Sequence, residues 1–187
     1  NELCTGCGIC ASISDNKIQM GLSAQGYLRP VIHQPLSSIQ ESIIQDVCPG
    51  ITLKHESLDA TYHPIWGPLI QVRTGYAVNP EVRFAGSSGG ALSALLIYLL
   101  ENRLVDYVLH IGVANDDPLR NEIKISRNHA EVVSNAGSRY APSAPLVNID
   151  EYLKGEGKFA FVGKPCDVAA LRQYGRKNPA VSQKIPY

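Results

Sequence analysis

Apolar and polar positions change rhythm along this chain, and the changes divide it into three stretches. In the first, residues 17–20 and 27–32 are short extended runs separated by Gly21 and Gly26, which predicts a hairpin. Ser38 and Glu41 then form an S-x-x-E capping box. Ile39, Ile43, Ile44 and Val47 follow at helical spacing, and Pro49-Gly50 ends the helix just after Cys48. Residues 51–69 show little periodicity and read as a linker rich in proline and glycine. His55 and His63 in it read as loop residues rather than ligands.

From residue 70 strand-like and helical patterns alternate. Residues 69–78 read as a strand, 90–102 as a strongly apolar helix, 105–114 as a strand with hydrophobics on both faces, and 122–127 as another strand. A short helix at 130–135, a helical turn at 149–153, a buried strand at 159–162 and a helix at 168–174 complete the pattern. The expected fold is α/β (α+β): a small ferredoxin-like module over 1–50, a linker over 51–69, and a mixed-sheet domain over 70–187. Residues 184–187 resemble the opening of a strand, so the chain is expected to be part of a longer protein.

The balance of charge narrows the partners. Of 187 residues, 44% are apolar and 18% charged, and seventeen basic residues match seventeen acidic ones. That balance argues against a nucleic-acid groove or an acidic membrane surface. The longest apolar run, 91–100, is interrupted by Ser93 and is far shorter than the roughly 20 residues of a membrane span.

Cysteine spacing supplies the strongest chemical signal. Cys4, Cys7 and Cys10 form C-x2-C-x2-C, answered by Cys48-Pro49. A bacterial ferredoxin run continues with x3-C-P, whose cysteine serves a second cluster. Here Ser14 holds that position and Asp15 follows it. The four thiolates therefore suit one [4Fe-4S] cluster and single-electron chemistry; tetrahedral zinc is the alternative. The short module buries little core alone, so a bound cluster would act as its staple. Thiolate ligation requires a reducing compartment, which makes the cytoplasm the expected location.

Three later turns offer polar groups. Ser87, Ser88, Gly89 and Gly90 lead from Gly86 into the apolar helix, where free backbone N–H groups favour phosphate or pyrophosphate. The alternative is a flexible turn with a serine cap. In the turn at 135–140, Ser138 and Arg139 could bind phosphate and Tyr140 could stack on a ring; a plain surface loop is the alternative. Lys164, Pro165 and Cys166 follow the buried strand at its carboxyl end, where α/β sheets place ligands. Lys164 suits an anion there. Cys166 could join a second cluster with residues beyond Tyr187, contact a flavin, or be a buried thiol.

Taken in order, Cys4-Thr-Gly-Cys7-Gly-Ile-Cys10, Cys48-Pro49-Gly50, the Gly86–Gly90 loop, Gly137-Ser138-Arg139-Tyr140 and Gly163-Lys164-Pro165-Cys166 resemble the beta-subunit family of coenzyme F420 hydrogenase. Relatives include F420-linked formate dehydrogenase beta subunits and 7-hydroxymethyl chlorophyll a reductase. The family is about twice this length, so the chain would be its N-terminal portion. Arg139 stands where the family leads one to expect lysine. The resemblance implies an iron–sulfur flavoprotein oxidoreductase with FAD lined by the three polar turns. Electrons would pass, in either direction, between a ferredoxin or partner subunit and a small organic acceptor such as F420. An electron-transfer subunit with no substrate site of its own is the alternative, and a homo-oligomer is compatible with either.

Overall fold

The computed structural model describes residues 3–53 and 61–187; His55 lies outside them. The chain begins with a short helix α1 (Ile9–Ile13), which the sequence patterns did not reveal. The expected hairpin follows as β1 (Ile18–Leu22) and β2 (Leu28–Ile32), paired antiparallel. Helix α2 (Ser38–Val47) starts one residue earlier than the S-x-x-E box suggests. Ser37 is its N-cap, and Gln40, not Glu41, closes the box by bonding back to the Ser37 backbone. Cys48 caps its other end.

The expected linker contains a second small hairpin, β3 (Thr61–His63) and β4 (Gly67–Leu69). His63 builds its turn: Nδ1 accepts the backbone N–H groups of Ile65 and Trp66. The strand expected at 69–78 does not form beyond Leu69. Its β-branched and aromatic residues meet no partner strand, and Val72 and Val78 stand exposed. Strand propensity reflects packing in a sheet, and among the described residues no strand pairs with this segment; Ala77 instead packs into the α3–α4 core and its N–H bonds the Gly89 carbonyl.

Helices α3 (Pro80–Ala85) and α4 (Ala91–Glu101) come next, α3 opened by Asn79, whose side chain accepts from Glu81 and Val82 N–H. The sheet then forms around β5 (Tyr107–Val113). Strand β6 (Asn121–Ser126) pairs antiparallel with it and β7 (Phe159–Phe161) parallel, so the sheet is mixed as expected. Helices α5 (His129–Ser134) and α6 (Ile149–Lys154) lie between β6 and β7. Helices α7 (Pro165–Gly175) and α8 (Ala180–Lys184) follow β7. The Tyr187 carbonyl accepts from Phe161 N–H, so the last residue reaches the edge of β7.

The two faces of β5 feed two cores, as side-chain alternation requires. Tyr107 and Leu109 pack with Phe159, α6 and α7, and with Ile9, Ile13 and Val47 from the cysteine-bearing segment. Tyr107 and Phe159 stack with ring centroids 5.0 Å apart. Val108 faces the opposite way, into Leu96, Ile97 and Leu99 of α4 and Val132 of α5. The cysteine segment therefore shares its core with the sheet. Among the described residues no helix is long and apolar enough to cross a membrane.

Candidate redox site

The cysteines are placed by glycines and long-range hydrogen bonds. Gly6 and Gly8 adopt φ of 74° and 86°, which lets the loop coil between thiols. A Cβ on Gly8 would lie 2.9 Å from the Val147 nitrogen. The Cys7 carbonyl accepts from Leu146 N–H at 2.9 Å. At the distant end, a Cβ on Gly50 would lie 2.5 Å from the Leu3 carbonyl oxygen, so only glycine lets the Cys48-Pro49-Gly50 turn abut the chain leading into Cys4.

Cys10 feels the charges of Cys7, Cys48 and Cys4, and Cys7 that of Cys48. Burial, reinforced by those neighbours, pushes the Cys10 thiol up to about 12; burial likewise pushes Cys7 up to about 11. Bare thiolates are thus disfavoured, and a cationic core would reverse the balance by holding them deprotonated. The donor set fits an iron–sulfur core. A single tetrahedral zinc would draw its sulfurs to about 3.8 Å of one another, given Zn–S bonds of about 2.3 Å. Among the described residues no group of three or more Cys, His, Asp or Glu is gathered that could hold a metal ion.

Ser14, where a ferredoxin has its next cysteine, is fully buried. Its hydroxyl donates to the Ala11 carbonyl at 2.8 Å and accepts from Ile18 N–H at 2.9 Å, joining α1 to β1. Asp15 has φ 52°, which a proline ring cannot adopt.

Beside the cysteines opens a cavity of about 500 Å³, within the ordinary range for small-molecule sites. Thr5 and Gly6, between Cys4 and Cys7, form part of its wall. Ser138, Arg139 and Tyr140 contribute another part, and Gly163 and Lys164 a third, at the carboxyl end of β7. Four of the expected binding residues thus line one cavity. Arg139 is held by Asn121 Oδ1 at 3.0 Å and the Pro118 carbonyl at 2.9 Å, while Tyr140 is almost wholly exposed at the rim. Lys164 Nζ pairs with the buried Asp167 carboxylate at 2.8 Å. That carboxylate also accepts from Lys164 N–H, opening α7, and its charge acts on Cys7.

Ser87, Ser88, Gly89 and Gly90 do not line the cavity, but Ser87 braces its wall. Ser87 Oγ accepts from Ser138 N–H at 2.7 Å and bonds Ser138 Oγ at 2.9 Å. The glycines give way to protein here: a Cβ on Gly90 would lie 2.4 Å from the Val82 carbonyl oxygen, and one on Gly86 2.5 Å from the Gly90 Cα. Pro165 and Cys166 open α7 outside the wall, with the Cys166 Sγ 3.8 Å from Asp167 Oδ1.

Sequence reasoning missed the cavity floor. His110 of β5 lies there, buried on the Val108 face, with its Nε2 2.8 Å from Ser126 Oγ. Burial lowers its imidazole from the usual value. A histidine inside an apolar strand pattern was the available signal.

Residues 72–149 match the family model described as coenzyme F420 hydrogenase/dehydrogenase, beta subunit N-term. That span includes the Gly86–Gly90 and Gly137–Tyr140 motifs. The chain is 35% identical over 104 residues to the beta subunit of F420-dependent formate dehydrogenase 1 from Methanococcus maripaludis, covering 54% of this chain and 26% of that one. It is 39% identical over 93 residues to the corresponding Methanocaldococcus jannaschii subunit, covering 48% and 24%. The matches thus span about a quarter of those relatives. A chain of the F420-reducing [NiFe] hydrogenase complex from Methanosarcina barkeri superposes with a TM-score of 0.53 at 22% identity, over 59% of this chain and 39% of that one, and so shares the fold. Residues 72–149 thus resemble the N-terminal part of the coenzyme F420 hydrogenase/dehydrogenase beta-subunit family.

Proposed function

We propose that this chain is the cluster- and flavin-binding part of an oxidoreductase, with a [4Fe-4S] cluster on Cys4, Cys7, Cys10 and Cys48 and FAD in the adjoining cavity. The observation that supports this most is that Thr5 and Gly6, inside the cysteine motif, are also wall of the cavity lined by Ser138–Tyr140 and Lys164. Bound together, an iron–sulfur cluster and a flavin would link single-electron donors to an acceptor that takes a hydride, such as F420.

The chain's own residues set the conditions for that chemistry. The cysteine loop lies against the cavity, so little protein separates the two sites. The apolar floor provided by Leu96 and Val132 would accept a ring and exclude water. Lys164 and Arg139, nearer the mouth, would hold the anionic end of a dinucleotide. Tyr140, exposed at the rim, is available to stack on a second ring. A ferredoxin or a partner subunit in the cytoplasm would exchange electrons at the cysteine end.

The test is turnover by the purified, reconstituted chain with a reduced viologen dye and F420. Flavin-dependent reduction of F420 supports the enzyme reading. Flavin retained with no reduction of F420 leaves an electron-transfer subunit, and absence of both iron and flavin refutes the proposal.

A further inference from the structure

Hydrogen-bond bookkeeping on the cavity floor fixes which nitrogen of His110 carries its proton. Ser126 is fully buried, so its hydroxyl hydrogen requires an acceptor. Its two neighbours are His110 Nε2 at 2.8 Å and the Asn135 amide nitrogen at 3.5 Å. The Asn135 nitrogen is a donor, because it also donates to the Glu131 carbonyl at 2.9 Å; the flipped amide would set two oxygens together. Only His110 Nε2 remains to accept from Ser126. A neutral imidazole with an accepting Nε2 carries its hydrogen on Nδ1.

Nδ1 has no hydrogen-bond partner among the described residues, yet no buried side-chain nitrogen or oxygen there lacks one. Nδ1 is therefore open to the cavity that the ring lines. We infer that His110 Nδ1–H is a hydrogen-bond donor to an uncharged acceptor, a ring nitrogen or imide carbonyl, of a flavin bound on the cavity floor. Ser126 and Asn135 are the positioning residues that hold the tautomer. An uncharged acceptor is the match because buried Leu96, Val132 and neutral Ser93 share the lining with His110, while the cations of that lining, Arg29, Arg139 and Lys164, come from β2 and from the turns at 137–140 and 163–164. Burial also disfavours the imidazolium that would attract an anion. Gly112, two residues along β5, keeps this arrangement possible: a Cβ there would lie 2.5 Å from Asn135 Oδ1.

The inference rests on a flavin occupying the cavity, and the test separates the two. FAD is titrated into the flavin-free full chain and its fluorescence quenching followed, for the native protein and for His110→Phe. The imidazole nitrogens of the native protein are read by 15N NMR with and without FAD. The expected results are Nδ1 protonated, its signal moving when FAD binds, and binding weakened about three- to tenfold in His110→Phe, the loss of one hydrogen bond. FAD binding with Nε2 protonated, with an unmoved Nδ1 signal, or with a folded His110→Phe unchanged in affinity overturns the role of His110 alone. If the native chain binds no FAD, the cavity assignment falls and His110 falls with it. Should His110→Phe not fold, the native spectrum decides.

Discussion

Gln173 on α7 donates to the carbonyl of Val47 at 3.0 Å, across 126 residues of chain, and to the carbonyl of Thr52 at 3.2 Å. Those carbonyls flank the Cys48-Pro49-Gly50 turn, so the helix that opens beside the cavity also grips the fourth cysteine. The side chain is buried, and its loss leaves acceptors without partners. Gln173→Ala is expected to cost about 1–3 kcal/mol in a urea unfolding measurement and to speed the loss of iron to a chelator.

Ser14 and Asp15 explain why the cysteine run stops at three. The hydroxyl joins α1 to β1, and the backbone beyond it turns left-handed. Ser14→Cys replaces a buried hydroxyl that makes two bonds with a poor hydrogen-bonding sulfur. The variant is expected to be about 1–2 kcal/mol less stable with an unchanged iron content. A doubled iron content would contradict this account of the position.

Gly90 joins the Ser87–Ser88 turn to α4 with φ 69°. Gly90→Ala adds a methyl against the Val82 carbonyl and a strained backbone. A loss of about 1–3 kcal/mol is expected by chemical denaturation. Because Ser87 braces Ser138, FAD affinity should fall as well, which fluorescence titration would measure.

His110 gives stability a pH dependence of known sign. Burial lowers its folded value below the usual 6.5, so the unfolded chain takes up the proton first. The contribution is whole above about 6.5 and is lost as pH falls through the depressed folded value. Unfolding midpoints of the native chain should drop more between pH 7.5 and 5.5 than those of His110→Gln.

The parts of this structure written in local spacing were legible in the sequence. Residues 105–114 and 159–162 read correctly as sheet strands because both their faces are apolar. The capping box slipped by one residue because Ser37 and Ser38 are equally good caps, with Gln40 and Glu41 equally placed to close the box. The glycines at 86–90 suggested close approach to a ligand, but sequence does not say what fills the missing Cβ; at Gly86 and Gly90 it is protein. His110, Ser126 and Asn135 meet only through tertiary pairing, so no local pattern exposes them. Residues 69–78 have strand-like composition without a partner, and partners are not a local property.

The central claim, a cluster beside a flavin, is tested most directly by an anaerobic absorption spectrum of the purified chain before and after acid extraction. The account predicts a broad brown shoulder near roughly 400 nm, abolished by acid, with free yellow flavin released. A colourless protein that contains zinc would contradict it.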